Sequence, residues 1–154
     1  MNRRNFLEAL ALGGAGLLTL PTTLLADDDN DVISALFKVP TTTGITGNVV
    51  IVGGGMAGAT LAKYLRLWGG TGVKVTLIEK EPKYTSNIMS NKVLTGQMNL
   101  ADLKYVYDTL TKHYGVQLVM DEVTEIDTST KTVTLKGGST HQGDRLVLAP
   151  GLEF

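Results

Sequence analysis

A short apolar run that breaks directly into three consecutive glycines constrains this chain more than any other feature. Val49-Val50-Ile51-Val52, entered from Asn48, has no polar interruption, which suits a strand buried on both faces of a parallel sheet. Gly53-Gly54-Gly55-Met56-Ala57-Gly58 follows at once. A helix is expected from about Met56, with Ala57, Leu61, Leu65 and Trp68 recurring at helical spacing as its buried face. Gly69-Gly70-Thr71-Gly72 should end that helix, and Val73 to Glu79 reads as a second strand carrying Val75, Leu77 and Ile78. The order is strand, glycine turn, helix, strand: one βαβ unit.

Each glycine of the turn has a physical task. Gly53 permits the tight exit from the strand, Gly55 lets the backbone approach a pyrophosphate, and Gly58 lets the helix pack close to the strand. Phosphates would then face the amides that open the helix at Met56 and Ala57, where unpaired N–H groups and the helix dipole favour negative charge. Glu79, at the end of the second strand, is placed to accept from ribose hydroxyls. An acid there favours a free 2′-hydroxyl over a 2′-phosphate. Gly53, Gly55, Met56, Ala57, Gly58 and Glu79 are therefore candidate cofactor-binding residues.

The rest of the composition mainly excludes. The 154 residues carry a formal charge of -1 and no cysteine. No basic block interleaved with aromatics follows the N-terminus, so the footprint of a nucleic-acid binder is missing. Disulfides, thiolate metal sites and a redox dithiol are ruled out within these residues. His113 and His141 have no partner at metal-ligand spacing and read as surface residues. No metal site and no catalytic residue is assigned.

The N-terminus reads as an address. Asn2-Arg3-Arg4-Asn5-Phe6-Leu7 resembles the twin-arginine export consensus, and an apolar run from Ala9 to Leu20 ends at Pro21. Ala26 then precedes the acidic run Asp27 to Asp31. This is the order of a signal peptide over residues 1–26. Glu8 and Leu24 depart from the usual pattern, and an uncleaved membrane anchor or a plain amphipathic helix are the alternatives. Residues 27–47 read as a linker whose last part, Pro40 to Gly44, is turn-rich. The expected location is the periplasm, reached in the folded state through the twin-arginine translocase.

The segment Tyr84-Thr85-Ser86-Asn87-Ile88-Met89-Ser90-Asn91-Lys92-Val93-Leu94-Thr95-Gly96 is a polar loop running into a short helical turn. With the glycine fingerprint, Lys63-Tyr64 and Val75-Thr76-Leu77-Ile78-Glu79, it resembles the flavoprotein subunit of flavocytochrome c sulfide dehydrogenase. The resemblance runs from about Asn48 to Phe154 and implies FAD as the cofactor. In that family a Tyr-Thr-rich loop and a Ser-Asn pair lie against the flavin, which points to Asn87 and Asn91. Asp121 to Asp127 is similar to the family segment whose backbone valine faces the adenine, and Val123 matches it. Asp144-Arg145-Leu146-Val147-Leu148-Ala149-Pro150-Gly151 looks like the second glycine motif of two-dinucleotide flavoproteins, with Ala149 and Gly151 at the matching positions. Many family members carry a flavin-bonded cysteine where this chain has Asn87, so FAD is expected to bind non-covalently.

The resemblance also sets expectations for the fold. These are an α/β, Rossmann-like FAD-binding half-domain over 48–154, with a parallel sheet and a small antiparallel β-meander. Ala101 to His113 is expected as a helix with Leu103, Val106, Tyr107 and Leu110 inward, and Val116 to Met120 as the third parallel strand. Lys131 to Leu135 should return antiparallel and Thr140 to Gly143 should add a short edge strand. The implied activity is sulfide oxidation, with electrons passed through FAD to a haem c partner. The family's catalytic cysteines would lie downstream of Phe154, so the chain is expected to be a truncated and inactive portion. The competing readings are a piece of a sulfide:quinone or NADH:quinone oxidoreductase, or a truncated product with no activity.

Overall fold

In a computed structural model, residues 38–41 and 43–151 are described. The expected signal segment and the first part of the linker lie outside the described residues, as do the last three residues. The first strand and helix fall where the fingerprint places them: β1 is Gly47–Val52 and α1 is Met56–Gly69. A single 3-10 turn, Gly70–Gly72, then leads into β2, Val73–Glu79. Further along come β3 (Tyr84–Thr85), α2 (Ser90–Leu94), a 3-10 turn (Leu100–Leu103), β4 (Lys104–Tyr105) and α3 (Asp108–Lys112). The chain ends in β5 (Gln117–Met120), β6 (Val123–Asp127), β7 (Thr132–Leu135), β8 (Thr140–Gln142) and β9 (Arg145–Leu148).

Four strands make the central sheet in the order β5-β2-β1-β9, all neighbours parallel. Because side chains alternate along a strand, β1 and β2 feed two cores. Ile51, Val73, Val75 and Leu77 bury toward α1, joined by Ala62, Tyr107, Tyr114 and Val116. Val50 and Ile78 bury on the opposite side, against Val133 and Leu135 of the meander. The meander itself pairs β6-β7-β8 antiparallel. The result is three layers: helix, parallel sheet, antiparallel sheet. Each fully buried Ile or Leu contributes roughly 1.5–3 kcal/mol relative to exposure, so the uninterrupted run 49–52 is what couples the two outer layers. The expected α/β, Rossmann-like class with a meander is the fold observed.

Three expectations need correction. First, α1 turns a slightly different face inward. Gly58, Ala62, Arg66 and Gly69 are its buried residues, Leu61 and Leu65 flank them, and Trp68 is 72% exposed. Ala57 is exposed too. Small residues occupy the line of closest approach because the helix lies tight on the sheet. Trp68 instead stacks on Tyr64, ring centroids 4.8 Å apart.

Second, 101–113 is not one helix. Lys104–Tyr105 pairs antiparallel with Tyr84–Thr85, and only Asp108–Lys112 is α-helical. Leu103 and Tyr107 are buried as expected, while Val106 is exposed. Positions 103 and 107 share a face at a helical spacing of four and at a strand spacing of two, so their apolarity fits both. A capping box at Asn99 and Asp102 closes the preceding turn and lets the chain extend. Third, the strand of the second glycine motif, which the likeness implies is buried, is only partly so: Arg145 and Leu148 of β9 are exposed because it is the outer strand of the sheet.

The buried Arg66 was not anticipated. Its Nε donates to the Tyr114 carbonyl at 2.6 Å, and its Nη1 donates to the carbonyls of Gly70 at 3.0 Å and Val73 at 2.5 Å. The guanidinium thus ties the end of α1 to the start of β2 and to the turn before β5. A cation at a helix C-terminus also suits the helix dipole. Burial pulls its pKa below the ordinary arginine value. Pro40 and Thr43 lie along this same corner: Thr71 N donates to Pro40 O at 2.9 Å and Thr43 Oγ1 to Gly69 O at 2.6 Å. Replacing Arg66 by Met should lower the unfolding free energy by about 2–3 kcal/mol, because buried carbonyls lose a charged donor. Urea unfolding followed by circular dichroism checks this, and an unchanged midpoint would remove Arg66 from the account.

Candidate functional site

The site lies at the carboxyl end of the parallel strands, where β1 and β2 deliver the glycine turn and Glu79. Ligands of open α/β sheets bind outside this end. A cleft of about 320 Å³ opens there, lined by Val52, Gly53, Ile78, Glu79, Lys80, Asp121, Glu122, Val123, Pro150 and Gly151. The expected residues Gly53, Glu79, Val123 and Gly151 therefore meet in one place, although they span a hundred residues of chain.

The glycine turn is packed so tightly that at Gly53 and Gly58 the backbone itself leaves no room for a side chain. Gly53 has φ of +99°, and a Cβ there would overlap the carbonyl oxygen of Ala149. A Cβ on Gly58 would overlap the carbonyl oxygen of Gly53. Ala149 N donates to Val52 O at 2.8 Å and Gly53 N to Ile78 O at 2.8 Å. The exits of β1 and β9 are thereby crossed backbone on backbone, which puts Ala149 and Gly151 beside the first turn. Gly55 is different. A Cβ there would touch only Tyr84 Cε2 at 3.8 Å, so the protein itself does not demand glycine. Gly55 is also the N-cap of α1 with no side-chain cap, leaving the opening amides at Met56 and Ala57 without a capping oxygen. Space above Gly55 and free amides below fit a pyrophosphate.

Glu79 has a second task beyond the ribose contact expected of it. Its Oε2 accepts the Gly54 N–H at 2.5 Å, and its Oε1 accepts those of Lys80 at 2.8 Å and Glu81 at 3.0 Å. A carboxylate oxygen has two acceptor directions. Oε1 is filled, and Oε2 keeps one direction for a ligand hydroxyl. The same carboxylate that would read the ribose also holds the turn.

Asp121 and Glu122 shape the far wall. Asp121 accepts the N–H groups of Glu122 at 2.7 Å and Gly137 at 3.0 Å, which fastens the β5–β6 corner to the β7–β8 turn and sets Val123 at the cleft. Lys136 bridges Glu122 at 2.8 Å. That hydrogen bond and charge hold the Glu122 carboxyl below its usual range. Acids therefore line this cleft, while the uncapped amides that open α1 lie beside it, just past Gly53.

Asn87 and Asn91 are not drawn into this cleft. Both are exposed, and their carbonyls accept from Ser90 N at 3.2 Å and Thr95 N at 3.1 Å in the local turns around α2. The member of the loop held inward is Ser86. It is buried, its N–H donates to Leu103 O at 2.9 Å, and its Oγ accepts the Ile88 N–H at 3.2 Å. His113 is exposed and His141 is half-buried on β8.

Sequence reasoning missed Tyr107 as part of this region. With Tyr84, Tyr105, Lys63 and Gly54 it lines a second, mainly apolar cleft of about 220 Å³ on the α1 side of the turn. Burial first, then the charge of Glu79, pushes the Tyr107 phenol up to about 12, with Tyr84 and Glu81 adding to the shift. Its apolar, evenly spaced surroundings had pointed only to a core position.

This geometry defines a class: a Rossmann-like half-domain of the FAD-binding type, with a cleft at the carboxyl edge of its sheet. The chain belongs to the pyridine nucleotide-disulphide oxidoreductase family, whose model matches residues 47–153. It is 33% identical over 109 residues to the ferredoxin–NAD(+) reductase subunit of the benzene 1,2-dioxygenase system of Pseudomonas putida, covering 70% of this chain and 26% of that protein. Its fold is similar to that of the sulfide:quinone oxidoreductase of the hyperthermophilic bacterium Aquifex aeolicus. That likeness has a TM-score of 0.60 at 26% identity and covers 69% of this chain and 24% of that one. Putidaredoxin reductase, in its covalent complex with putidaredoxin, is similar at a TM-score of 0.56 and 30% identity, over 70% of this chain and 26% of that one. The chain spans about a quarter of the length of these relatives.

Two outcomes follow from the turn's packing. Glu79→Gln would turn an NH2 toward backbone donors, and should cost about 1–3 kcal/mol of stability, read by urea unfolding. The phenol of Tyr107 should ionise near 12, seen as an absorbance step that Tyr107→Phe removes. A folded-state value above the unfolded one means stability is full below about pH 10 and falls between there and 12.

Proposed function

We propose that this chain is the FAD-binding portion of an exported, sulfide-oxidising flavoprotein of the flavocytochrome c sulfide dehydrogenase type. The observation that carries the cofactor assignment is the convergence of Gly53, Glu79, Val123 and Gly151 on one cleft next to the uncapped start of α1. In this reading Gly55, Met56 and Ala57 hold the pyrophosphate, and Gly53 and Gly58 keep the turn close enough to do so. Glu79 Oε2 accepts a ribose hydroxyl, while Val123 faces the adenine through its backbone. Ala149 and Gly151 carry the chain past the cofactor, and Asn87 and Asn91 lie on the flavin side. FAD supplies two-electron acceptance with release one electron at a time. Attachment is non-covalent, since Asn87 has no thiol to bond the ring and the chain has no cysteine.

Sulfide as the reductant and a haem c subunit as the acceptor rest on the likeness of residues 84–96 to that family's flavin loop. A periplasmic location through the twin-arginine translocase rests on Arg3-Arg4 and the apolar run behind them. A second reading, an enzyme that passes sulfide electrons to a quinone, is favoured by the likeness to the Aquifex protein.

The 154-residue chain should quench flavin fluorescence on titration with FAD, and denaturation should release all of the flavin. Gly55→Ala is the decisive variant: its Cβ would meet nothing nearer than Tyr84 Cε2 at 3.8 Å, so it should leave the unfolding free energy within about 1 kcal/mol yet weaken FAD binding at least tenfold. Wild-type chain that is folded and does not quench would defeat the cofactor assignment. For location, Arg3→Lys with Arg4→Lys should retain the protein in the cytoplasm, read by cell fractionation.

A further inference from the structure

The fingerprint explains its first, third and sixth positions but leaves the second free, since nothing in a G-x-G-x-x-G turn requires glycine there. Gly54 nevertheless has a reason to be glycine. A Cβ built on it would lie 2.8 Å from Tyr107 Oη, 2.9 Å from Cε1 and 3.0 Å from Cζ. Real Cβ atoms do not come so close to a ring edge. Tyr107 is 6% exposed and sits in the core that also holds Ile51 and Leu77 of β1 and β2, so the ring has little room to withdraw. On its other side, Gly54 gives its N–H to Glu79 Oε2. The second residue of the turn is thus held between an aromatic edge and a carboxylate, both supplied from outside the turn.

We propose that Tyr107 is a positioning residue for the dinucleotide-binding turn. Its phenol ring occupies the volume of a missing Gly54 side chain and presses the Gly54 peptide onto Glu79. The two act as a clamp. With the ring in place, Gly54 N–H stays on Oε2, the Gly55 backbone keeps its height above the start of α1, and Oε2 keeps its remaining acceptor direction toward the ribose. Ring atoms Cε1 and Cζ lie 2.9 and 3.0 Å from that Cβ position, beside Oη at 2.8 Å, so phenylalanine, which keeps the ring, should serve nearly as well as tyrosine. The pairing also ties the 105–107 segment, which contributes nothing to the βαβ unit by sequence, to the affinity of that unit for its ligand. This inference rests on the dinucleotide-binding reading of the same turn.

The test uses the 154-residue chain, FAD titration by fluorescence quenching, and the amide resonance of Gly54 in 15N-labelled protein. Tyr107→Leu should weaken FAD binding by about tenfold, and Tyr107→Phe should stay within about twofold of wild type. Gly54→Ala in the wild-type background should weaken binding by a similar factor, and in the Tyr107→Leu background it should cost almost nothing further, because the colliding ring is gone. The Gly54 amide should be shifted far downfield by its carboxylate partner in wild type and Tyr107→Phe, and should move upfield in Tyr107→Leu. A general loss of packing would lower the unfolding midpoint of Tyr107→Leu without making the Gly54→Ala penalty depend on residue 107. Equal penalties in the two backgrounds, or an unmoved Gly54 amide, would overturn the proposal. If Tyr107→Leu does not fold, the Phe and Gly54→Ala results decide it: a large loss in Tyr107→Phe or none in Gly54→Ala counts against the clamp. Folded wild-type chain that fails to bind FAD would instead defeat the reading beneath it.

Discussion

The crossing of two backbones at Gly53 and Ala149 is the contact on which the rest of this structure depends. It occurs where β1 ends, where α1 begins, and where β9 leaves the sheet. A side chain at Gly53 or Gly58 would separate these elements by at least the radius of a methyl group. Protein interiors are close-packed enough that such a shift propagates. Val50 and Ile51 would move with β1, and they belong to the two different cores. One local constraint therefore controls the register of all three layers and the shape of the cleft above them.

The site is an arrangement of backbone rather than of reactive side chains. Its anion-reading end is the opening turn of a helix without a capping oxygen, and its hydroxyl-reading end is a carboxylate already held by three amides. Such a cleft can bind and orient a dinucleotide with little rearrangement. Among the described residues, the groups that line it suit recognition more than proton or electron transfer. This division of labour fits a family in which the cofactor carries the chemistry.

Arg66 and Tyr107 show how the scaffold supports that cleft from a distance. Arg66 closes the far end of α1 by neutral carbonyl acceptors alone, fixing the helix whose other end faces the ligand. Tyr107 reaches the near end from a short non-helical segment. Neither residue belongs to the glycine fingerprint, yet both set where its helix lies.

By itself, the sequence determined the βαβ unit, the acid at its end and the later strands. Those features repeat at short range: an apolar run, glycines at fixed offsets, a helical period, turn residues. It also pointed to Gly53 and Glu79 through the spacing of the fingerprint, and to Val123 and Gly151 through family likeness rather than through any local period. Only the tertiary structure decided three other matters. It split 101–113 into a turn, a strand and a helix, because spacing of four is shared by both periods and the pairing with Tyr84–Thr85 breaks the tie. It turned Gly58, Ala62 and Gly69 of α1 inward, because closeness to the sheet favours small side chains over large ones. And it gave Gly54 a neighbour fifty-three residues away, a contact that no local pattern encodes because it exists only once both cores have closed.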